Sequence, residues 1–141
     1  MNGVLADANV LISAALARSP NAPSARILEA AIDGRVSLIT SPTLLAEIVS
    51  VLRRPRLRRY LSIGEAERYV ADLASQTMLV SDARGPHPEI CRDPADDYLL
   101  ALATQVGATA IVTGDLDVLE LADPAVPILT PRDFVTEHLD R

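Results

Sequence analysis

The chain lacks several residue types on which common protein chemistries depend. Its 141 residues include no lysine, no tryptophan, one cysteine, three tyrosines and one phenylalanine, and all thirteen basic residues are arginine. The lack of lysine excludes Walker-type nucleotide binding, because that phosphate-binding loop needs a lysine after its glycines, and the pattern GxGxxG is missing too. Cys91 alone can form no intrachain disulfide, and a lone thiol does not make a zinc site.

Long apolar runs are also missing from the sequence. No stretch is long enough to span a bilayer, and the amino-terminal MNGVLADANV has no basic region and reaches Asp7 before any signal-like run. We therefore expect a cytoplasmic protein with no membrane association. The length favours a single domain over residues 1–141, large enough to bury a core without disulfides.

Alternating strand-like and helix-like segments predict an α/β fold. The predicted strands are short, continuously apolar runs, which are typical of a mainly parallel, twisted sheet covered by helices on both faces. These strands are 4–6, 36–40, 78–80, 110–112 and 127–129. The predicted helices are 9–17, 24–33, 42–53, 62–76, 95–106, 116–122 and 131–139, and the proline-rich stretch 82–94 is expected to be a surface loop.

Two aspartates follow predicted strands. Asp7 closes the strand VLAD, and Asp115 follows a strand that ends in a tight exit at Gly114. Open α/β sheets bind ligands at the carboxyl ends of their strands. The structural alternative is that each aspartate only caps the helix that follows it.

Two further acids lie on predicted helices. Asp93 fits the cap of the helix that begins at Pro94, and Asp96 fits a capping-box acid, which leaves Asp97 facing either solvent or a shared pocket. Glu47 lies more than a turn into its helix, where a solvated position is the simple alternative. Together with the two strand-end aspartates, these acids could all converge on one end of a parallel sheet.

Five segments, in this order, resemble those of PIN-domain nucleases, especially the VapC-like toxins of bacterial toxin–antitoxin pairs. The segments are DANVLISA at 7–14, SPTLLAEIVSVLRRP at 41–55, RDPADDYLLALA at 92–103, VTGDLDVL at 112–119 and ILTPRDF at 128–134. The resemblance implies a PIN-like three-layer fold. It also implies an acidic quartet that is both catalytic and metal-binding, formed by Asp7, Glu47, Asp97 and Asp115, with support from Asn9, Asp96 and Asp117.

The choice of Asp97 over Asp96 follows the offset of the family's acid from a Leu-Ala pair, here Leu100 and Ala101. One departure from the family is Ala8, where relatives usually carry a hydroxyl residue; this could weaken support of the neighbouring acids but removes no carboxylate.

The implied activity is metal-dependent hydrolysis of RNA by an activated water. Crowded carboxylates raise one another's pKa, and Mg²⁺ or Mn²⁺ relieves this because hard divalent cations prefer oxygen ligands. The implied partners are an RNA substrate, a cognate antitoxin and a second copy of the chain in a homodimer. Two alternatives remain: a non-catalytic PIN module that binds protein or RNA, and a PIN nuclease that acts on DNA.

An arginine-rich segment, RRPRLRR at 53–59, is the candidate surface for nucleic acid. A solvated helix end is the equally weighted alternative, because basic residues suit the last turn of a helix. The predicted contacts are Arg53, Arg54, Arg56, Arg58 and Arg59. The scarcity of aromatic residues argues against recognition by base stacking.

Overall fold

The computed structural model describes residues 3–121 and 124–140. Its strands are β1 (Gly3–Ala6), β2 (Ser37–Thr40), β3 (Met78–Leu79), β4 (Ala110–Val112) and β5 (Ile128–Leu129). Its α-helices are α1 (Ala8–Leu16), α2 (Pro23–Ile32), α3 (Pro42–Leu52), α4 (Ile63–Gln76), α5 (Pro94–Val106), α6 (Leu116–Leu119) and α7 (Pro131–Phe134). A 3₁₀ turn (Pro55–Leu57) follows α3, and a π-helical turn (Val135–Leu139) continues α7.

The five strands form one all-parallel sheet in the order β3-β2-β1-β4-β5. β1 lies in the centre, with Val4 paired to Leu38 of β2 on one side and to Ala110 of β4 on the other. The strand order reverses between β1 and β4. In an open parallel sheet such a reversal leaves a crevice at the carboxyl ends of the two strands, and this is where ligands bind.

Helices cover both faces of the sheet, as the apolar strands predict. Val4 and Ala6 of β1 pack into a core cluster with α1, α2, α3 and α4, whereas Leu5 between them packs on the opposite face with α5. This alternation is the period-two geometry of a strand. The three-layer α/β prediction is confirmed.

The predicted elements agree with the structure apart from their ends. Each of the five strands is found within one residue of its predicted limits, and Ser41, Asp93 and Thr130 cap the proline-led helices α3, α5 and α7 as expected. The predicted helix 131–139 is instead divided between α7 and the π-helical turn. The predicted helix 116–122 ends at Leu119, and its last residue, Ala122, lies outside the described residues.

No helix within residues 3–121 and 124–140 combines the length and the apolar character that crossing a membrane requires.

Candidate active site

A small acidic pocket lies at the carboxyl ends of β1 and β4, where the strand order reverses. Its volume is about 40 Å³. Five carboxylates line it, from four separate parts of the chain. They are Asp7, Glu47, Asp93, Asp96 and Asp115, and Leu44 and Leu99 form the apolar part of the wall.

Asp7 and Asp115 are joined through one buried hydroxyl. The hydroxyl of Thr113 donates a hydrogen bond to Oδ2 of Asp7 and accepts one from the backbone N–H of Asp115 at 3.0 Å. The other oxygen of Asp7, Oδ1, accepts a hydrogen bond from the N–H of Val10 and so caps α1. Asp115 caps α6 in the same way, with Oδ1 accepting from the N–H of Asp117 at 2.9 Å. Both aspartates are therefore helix caps and pocket residues at once.

Glu47 reaches the pocket from α3. Ser41 begins this helix at the end of β2, and the buried side chains of Leu44 and Ile48 fix its inner face. Glu47 lies between these two apolar positions, at the edge of the stripe, and its side chain is half-buried beside Leu44. The solvated alternative for Glu47 therefore does not describe its position.

Asp96, and not Asp97, lies in the pocket with the other acids. Adjacent helical residues point about 100° apart, so only one of the pair can face the pocket. Asp96 lies on the same helix face as Leu99, three residues on, and both line the acidic pocket. Asp97 shares its face with Leu100 and lines a separate cavity on the other side of α5.

Asp97 secures the loop that enters α5. Its Oδ1 accepts hydrogen bonds from the backbone N–H groups of Ile90 and Cys91, at 2.9 Å and 2.8 Å. These two bonds lower the pKa of Asp97 below its usual value, because they stabilise the ionised form. The structure thus gives Asp97 a loop-holding role and does not bring it together with Asp7, Glu47 and Asp115.

Burial and mutual repulsion shift the pKa values in the pocket upward. Burial is the main cause for Asp7 and Glu47, and neighbouring carboxylates add to it in both. The pKa of Asp96 rises to about 7, first through burial and then through Asp115, to which protonated Asp96 can donate a hydrogen bond. Oδ2 of Asp96 is buried and has no hydrogen-bond partner in the described part of the protein. The pocket therefore favours either a proton or a cation.

The donor set suits a hard divalent cation. All five groups are carboxylates, the ligands that Mg²⁺ and Mn²⁺ prefer, and one oxygen lacks a partner. Within residues 3–121 and 124–140, no three acidic, histidine or cysteine side chains are already placed to ligate one ion together. Side-chain rotation is therefore required when an ion binds.

Of the three predicted supporting residues, Asp96 lies in the pocket, whereas Asn9 and Asp117 take peripheral positions. Asn9 is exposed at the rim of the pocket, one residue after Ala8, which lines it. Asp117 contributes its backbone N–H to Asp115, while its exposed side chain is not part of the pocket wall. The absence of a hydroxyl at position 8 leaves the pocket with Thr113 as the hydroxyl that binds Asp7.

The sequence does not assign two residues of the site, Asp93 in the pocket wall and Thr113 behind Asp7. Asp93 was assigned only to the cap of α5, and it does cap that helix through Ala95 at 2.9 Å, but it also lines the pocket. Thr113 received no role, although a polar residue directly after the apolar strand β4 was the available signal.

The five arginines predicted to contact nucleic acid differ in whether their guanidinium groups already contact other parts of the protein. Arg58 donates to the backbone carbonyl of Leu52 and so satisfies the carboxyl end of α3. Arg53 forms an ion pair with Glu67 at 3.0 Å. Arg54 and Arg56 are exposed. Arg59 is also exposed and stacks over the ring of Tyr60, with 5.0 Å between the guanidinium carbon and the ring centroid.

The protein is an α/β protein with an all-parallel sheet and a cluster of carboxylates where the strand order reverses. Among known families, the PIN-domain family model matches residues 3–117. The chain belongs to the PIN-domain family, whose members are generally nucleases. It is 31% identical over 145 residues to the uncharacterized protein MJ1680 of Methanocaldococcus jannaschii, which covers 95% of this chain and 90% of that protein.

Solved structures share the fold at low sequence identity. PAE2754 from Pyrobaculum aerophilum is 16% identical with a TM-score of 0.64, covering 99% of this chain and 91% of that one. FitAB bound to an IR36 DNA fragment is 24% identical with a TM-score of 0.56, covering 91% and 94%. FitAcB from Neisseria gonorrhoeae is 23% identical with a TM-score of 0.51, covering 92% and 98%. These similarities support the PIN-like fold.

The raised pKa of Asp96 predicts how the stability of the metal-free protein depends on pH. Below about pH 4 both folded and unfolded chains hold this proton; between that pH and about 7 only the folded chain does, so the free energy of unfolding falls as pH rises. An asparagine has no proton to lose in this range. Asp96→Asn should therefore raise the free energy of unfolding at pH 8 by roughly 1–3 kcal/mol.

Urea unfolding in EDTA at pH 5 and pH 8 measures this effect. Asp97→Asn is the matched control with the opposite sign, because the lowered pKa of Asp97 means that its ionised form stabilises the fold and is lost on substitution. If Asp96→Asn and Asp97→Asn change the stability at pH 8 in the same direction, the assignment of Asp96 to the pocket is wrong.

Proposed function

We propose that the protein is a Mg²⁺- or Mn²⁺-dependent endoribonuclease and the toxin of a toxin–antitoxin pair. The observation that carries the proposal is the convergence of Asp7, Glu47, Asp96 and Asp115 in one pocket of a PIN-domain chain. In this proposal Asp96 takes the place in the quartet that the sequence assigned to Asp97. Asp97 acts as a positioning residue.

The carboxylates have distinct tasks in this proposal. Asp7 and Asp115 each commit one oxygen to a helix cap, so their orientation is fixed before substrate arrives. Asp96 and Glu47 have no such bond and can turn toward an ion or a water. A divalent cation, when bound, supplies Lewis acidity toward a phosphate oxygen and the attacking water. Water then displaces one ester oxygen of the phosphodiester, which leaves with a proton.

A non-catalytic PIN module explains the pocket less well. A buried carboxyl oxygen without a partner costs free energy, and repulsion from Asp115 adds to that cost. A purely structural position is better served by an apolar or amide side chain. The unpartnered oxygen of Asp96 therefore favours a site that binds a ligand.

The exposed arginines favour a polyanionic substrate. We define the basic surface as Arg18, Arg54, Arg56 and Arg59, together with Tyr60, over which both Arg18 and Arg59 are stacked. Arg18 lies just beyond the end of α1, and the other three arginines follow α3. Both helices run from the pocket edge of the sheet toward the opposite edge, so the surface lies roughly 10–16 Å from the pocket acids along their axes. A nucleic-acid strand can bridge this distance.

A cognate antitoxin is the proposed protein partner. The resemblance to VapC-like toxins supports it. We propose that the antitoxin places an arginine in the acidic pocket, because a guanidinium binds carboxylates bidentately and keeps its charge. The homodimer and the cytoplasmic location stay predictions.

The first prediction separates the two adjacent aspartates by activity. Asp7→Asn, Glu47→Gln, Asp96→Asn and Asp115→Asn should each lower kcat at least about a hundredfold, because each removes a charge from the ion-binding cluster. Asp97→Asn should lose less activity than Asp96→Asn. Cleavage of matched single-stranded RNA and DNA, with Mg²⁺, with Mn²⁺ and in EDTA, gives the comparison.

Far-ultraviolet circular dichroism of each variant controls for unfolding. Full activity in EDTA would falsify the metal mechanism, and cleavage of DNA in preference to RNA would favour the DNA alternative. Loss of activity in Asp97→Asn alone would return the quartet to its sequence-based assignment.

The second prediction concerns the basic surface. Replacing Arg54, Arg56 and Arg59 with glutamine should weaken RNA binding and reduce the slope of log affinity against log salt by about one unit for each phosphate that is no longer neutralised. Arg58→Gln is the contrasting variant, because its guanidinium bonds to the end of α3. It should lower the free energy of unfolding by about 1 kcal/mol with little change in salt slope. An unchanged slope in the triple variant would assign these arginines to a solvated surface.

The third prediction is competition between the divalent cation and the antitoxin. Raising Mg²⁺ at constant ionic strength should weaken the apparent affinity of the antitoxin, because two cationic ligands exclude each other reciprocally from one pocket. Asp96→Asn should weaken the complex too, and Asp97→Asn should weaken it less. Titration calorimetry measures both effects. An affinity indifferent to Mg²⁺ and to Asp96→Asn would mean that the antitoxin binds elsewhere.

A further inference from the structure

A second, larger cavity adjoins the acidic pocket and has a different chemistry. It has a volume of about 350 Å³ and lies between α1, α2, α7 and the link from β4 to α6. Asn9 lines both cavities, and Gly114, in the wall of the larger one, directly precedes Asp115 of the acidic pocket. A ligand that extends past Asn9 therefore occupies both the acidic pocket and the larger cavity.

The polar side chains of this cavity are neutral or cationic. Arg132 lies in the first turn of α7 and is exposed, and it forms no ion pair within the described residues. Ser13 lies one helical turn after Asn9 on the same face of α1, and Ser24 faces the cavity from the start of α2. Among residues 3–121 and 124–140, no carboxylate lines this cavity. Asn9 thus lies between two chemical environments. The acidic pocket is on one side, and the cavity lined by Arg132, hydroxyl groups and an amide is on the other.

We propose that this cavity binds the nucleotide next to the scissile phosphate, with Arg132 contacting that nucleotide's own phosphate and Asn9, Ser13 and Ser24 contacting its sugar. The proposal rests on the proposed nuclease function and adds a substrate subsite to it. The size fits, since small-molecule pockets begin at about 300 Å³. The charge also fits, because a guanidinium binds a phosphate bidentately.

The position of the cavity makes Arg132 a determinant of substrate binding. The scissile phosphate must reach the acidic pocket, and the next phosphate along the chain must avoid those carboxylates. Arg132 is the cationic side chain in the wall of the cavity that continues from the pocket. Arg132 therefore sets the path of the bound substrate chain from the acidic pocket into the larger cavity. Because this is a binding contact, loss of Arg132 is expected to affect KM more than kcat.

Arg132→Gln tests the contact, and Arg68→Gln is the matched control, since Arg68 is exposed on α4 and lines neither cavity. With a single-stranded RNA substrate and Mg²⁺ or Mn²⁺, Arg132→Gln should raise KM about tenfold with a smaller change in kcat. Arg132→Lys should recover part of the loss. Arg68→Gln should behave as the wild type. Equal effects of Arg132→Gln and Arg68→Gln would overturn the proposal.

Neutral phosphate analogues locate the contact. Methylphosphonate replaces, in turn, each phosphate that flanks the scissile one, and binding is measured by fluorescence anisotropy in EDTA. Replacement of the phosphate that Arg132 contacts should weaken binding to the wild type about tenfold. The same replacement should not weaken binding to Arg132→Gln any further. Additive losses at every position would overturn the contact. Because this binding needs no cleavage, an Arg132-dependent effect in a protein that cleaves nothing would support the subsite while contradicting the nuclease proposal.

Ser13→Phe is a second variant that does not depend on charge. The position is exposed on α1, so the fold should tolerate the larger side chain, which fills the cavity. It should raise KM for RNA and leave KM unchanged for a substrate whose flanking nucleotide is replaced by a carbon spacer. Equal KM changes for both substrates would count against a nucleotide in this cavity.

Discussion

Repulsion among carboxylates that are confined to one end of the sheet is the constraint on which the rest of the site depends. Five acids share a pocket, and no arginine of the described part of the chain lines it. The fold compensates in part with backbone N–H groups, since Asp7, Asp93 and Asp115 each cap a helix. The positive end of a helix dipole favours a negative charge. Asp96 lies in the first turn of α5 but is not its cap, and burial and Asp115 raise its pKa to about 7.

Capping and ligand binding are compatible roles in this arrangement. From sequence, a cap and a pocket acid were alternative interpretations of Asp7 and Asp115. The structure combines them, because a carboxylate has two oxygens and the cap uses one. In Asp7, Oδ1 binds the first turn of α1 while Oδ2 meets the hydroxyl of Thr113. The same residue is then both the signal for a helix start and the signal for a functional acid. Capping arguments alone therefore cannot decide whether such an aspartate also lines a pocket.

The apolar runs of the sequence predicted the sheet and the layers, and three members of the predicted quartet, Asp7, Glu47 and Asp115, line the pocket together with Asp93 and Asp96. For α5 the sequence assigned Asp97 to the quartet, whereas Asp96 is the residue that lines the pocket with the other acids. The sequence pattern gives Asp96 only a capping-box and supporting role, whereas the helix phase set by the buried Leu99, Leu102 and Ala103 turns Asp96 inward. The division of the arginines was also beyond prediction. Whether Arg58 meets solvent or the end of α3 depends on how the chain turns after Leu52, which composition does not reveal.

The hydrogen bond between Thr113 and Asp7 joins residues that are 106 positions apart in the chain. β1 is made before its neighbour β4, and the chain from α1 to α5 lies between them. Pairing these strands requires closure of a long loop, a step that is slow relative to local helix formation. A growing chain on the ribosome therefore carries its first carboxylate long before the last can join it. The acidic pocket can form only after β4 and Asp115 have emerged, so truncated products that stop before β4 cannot contain it.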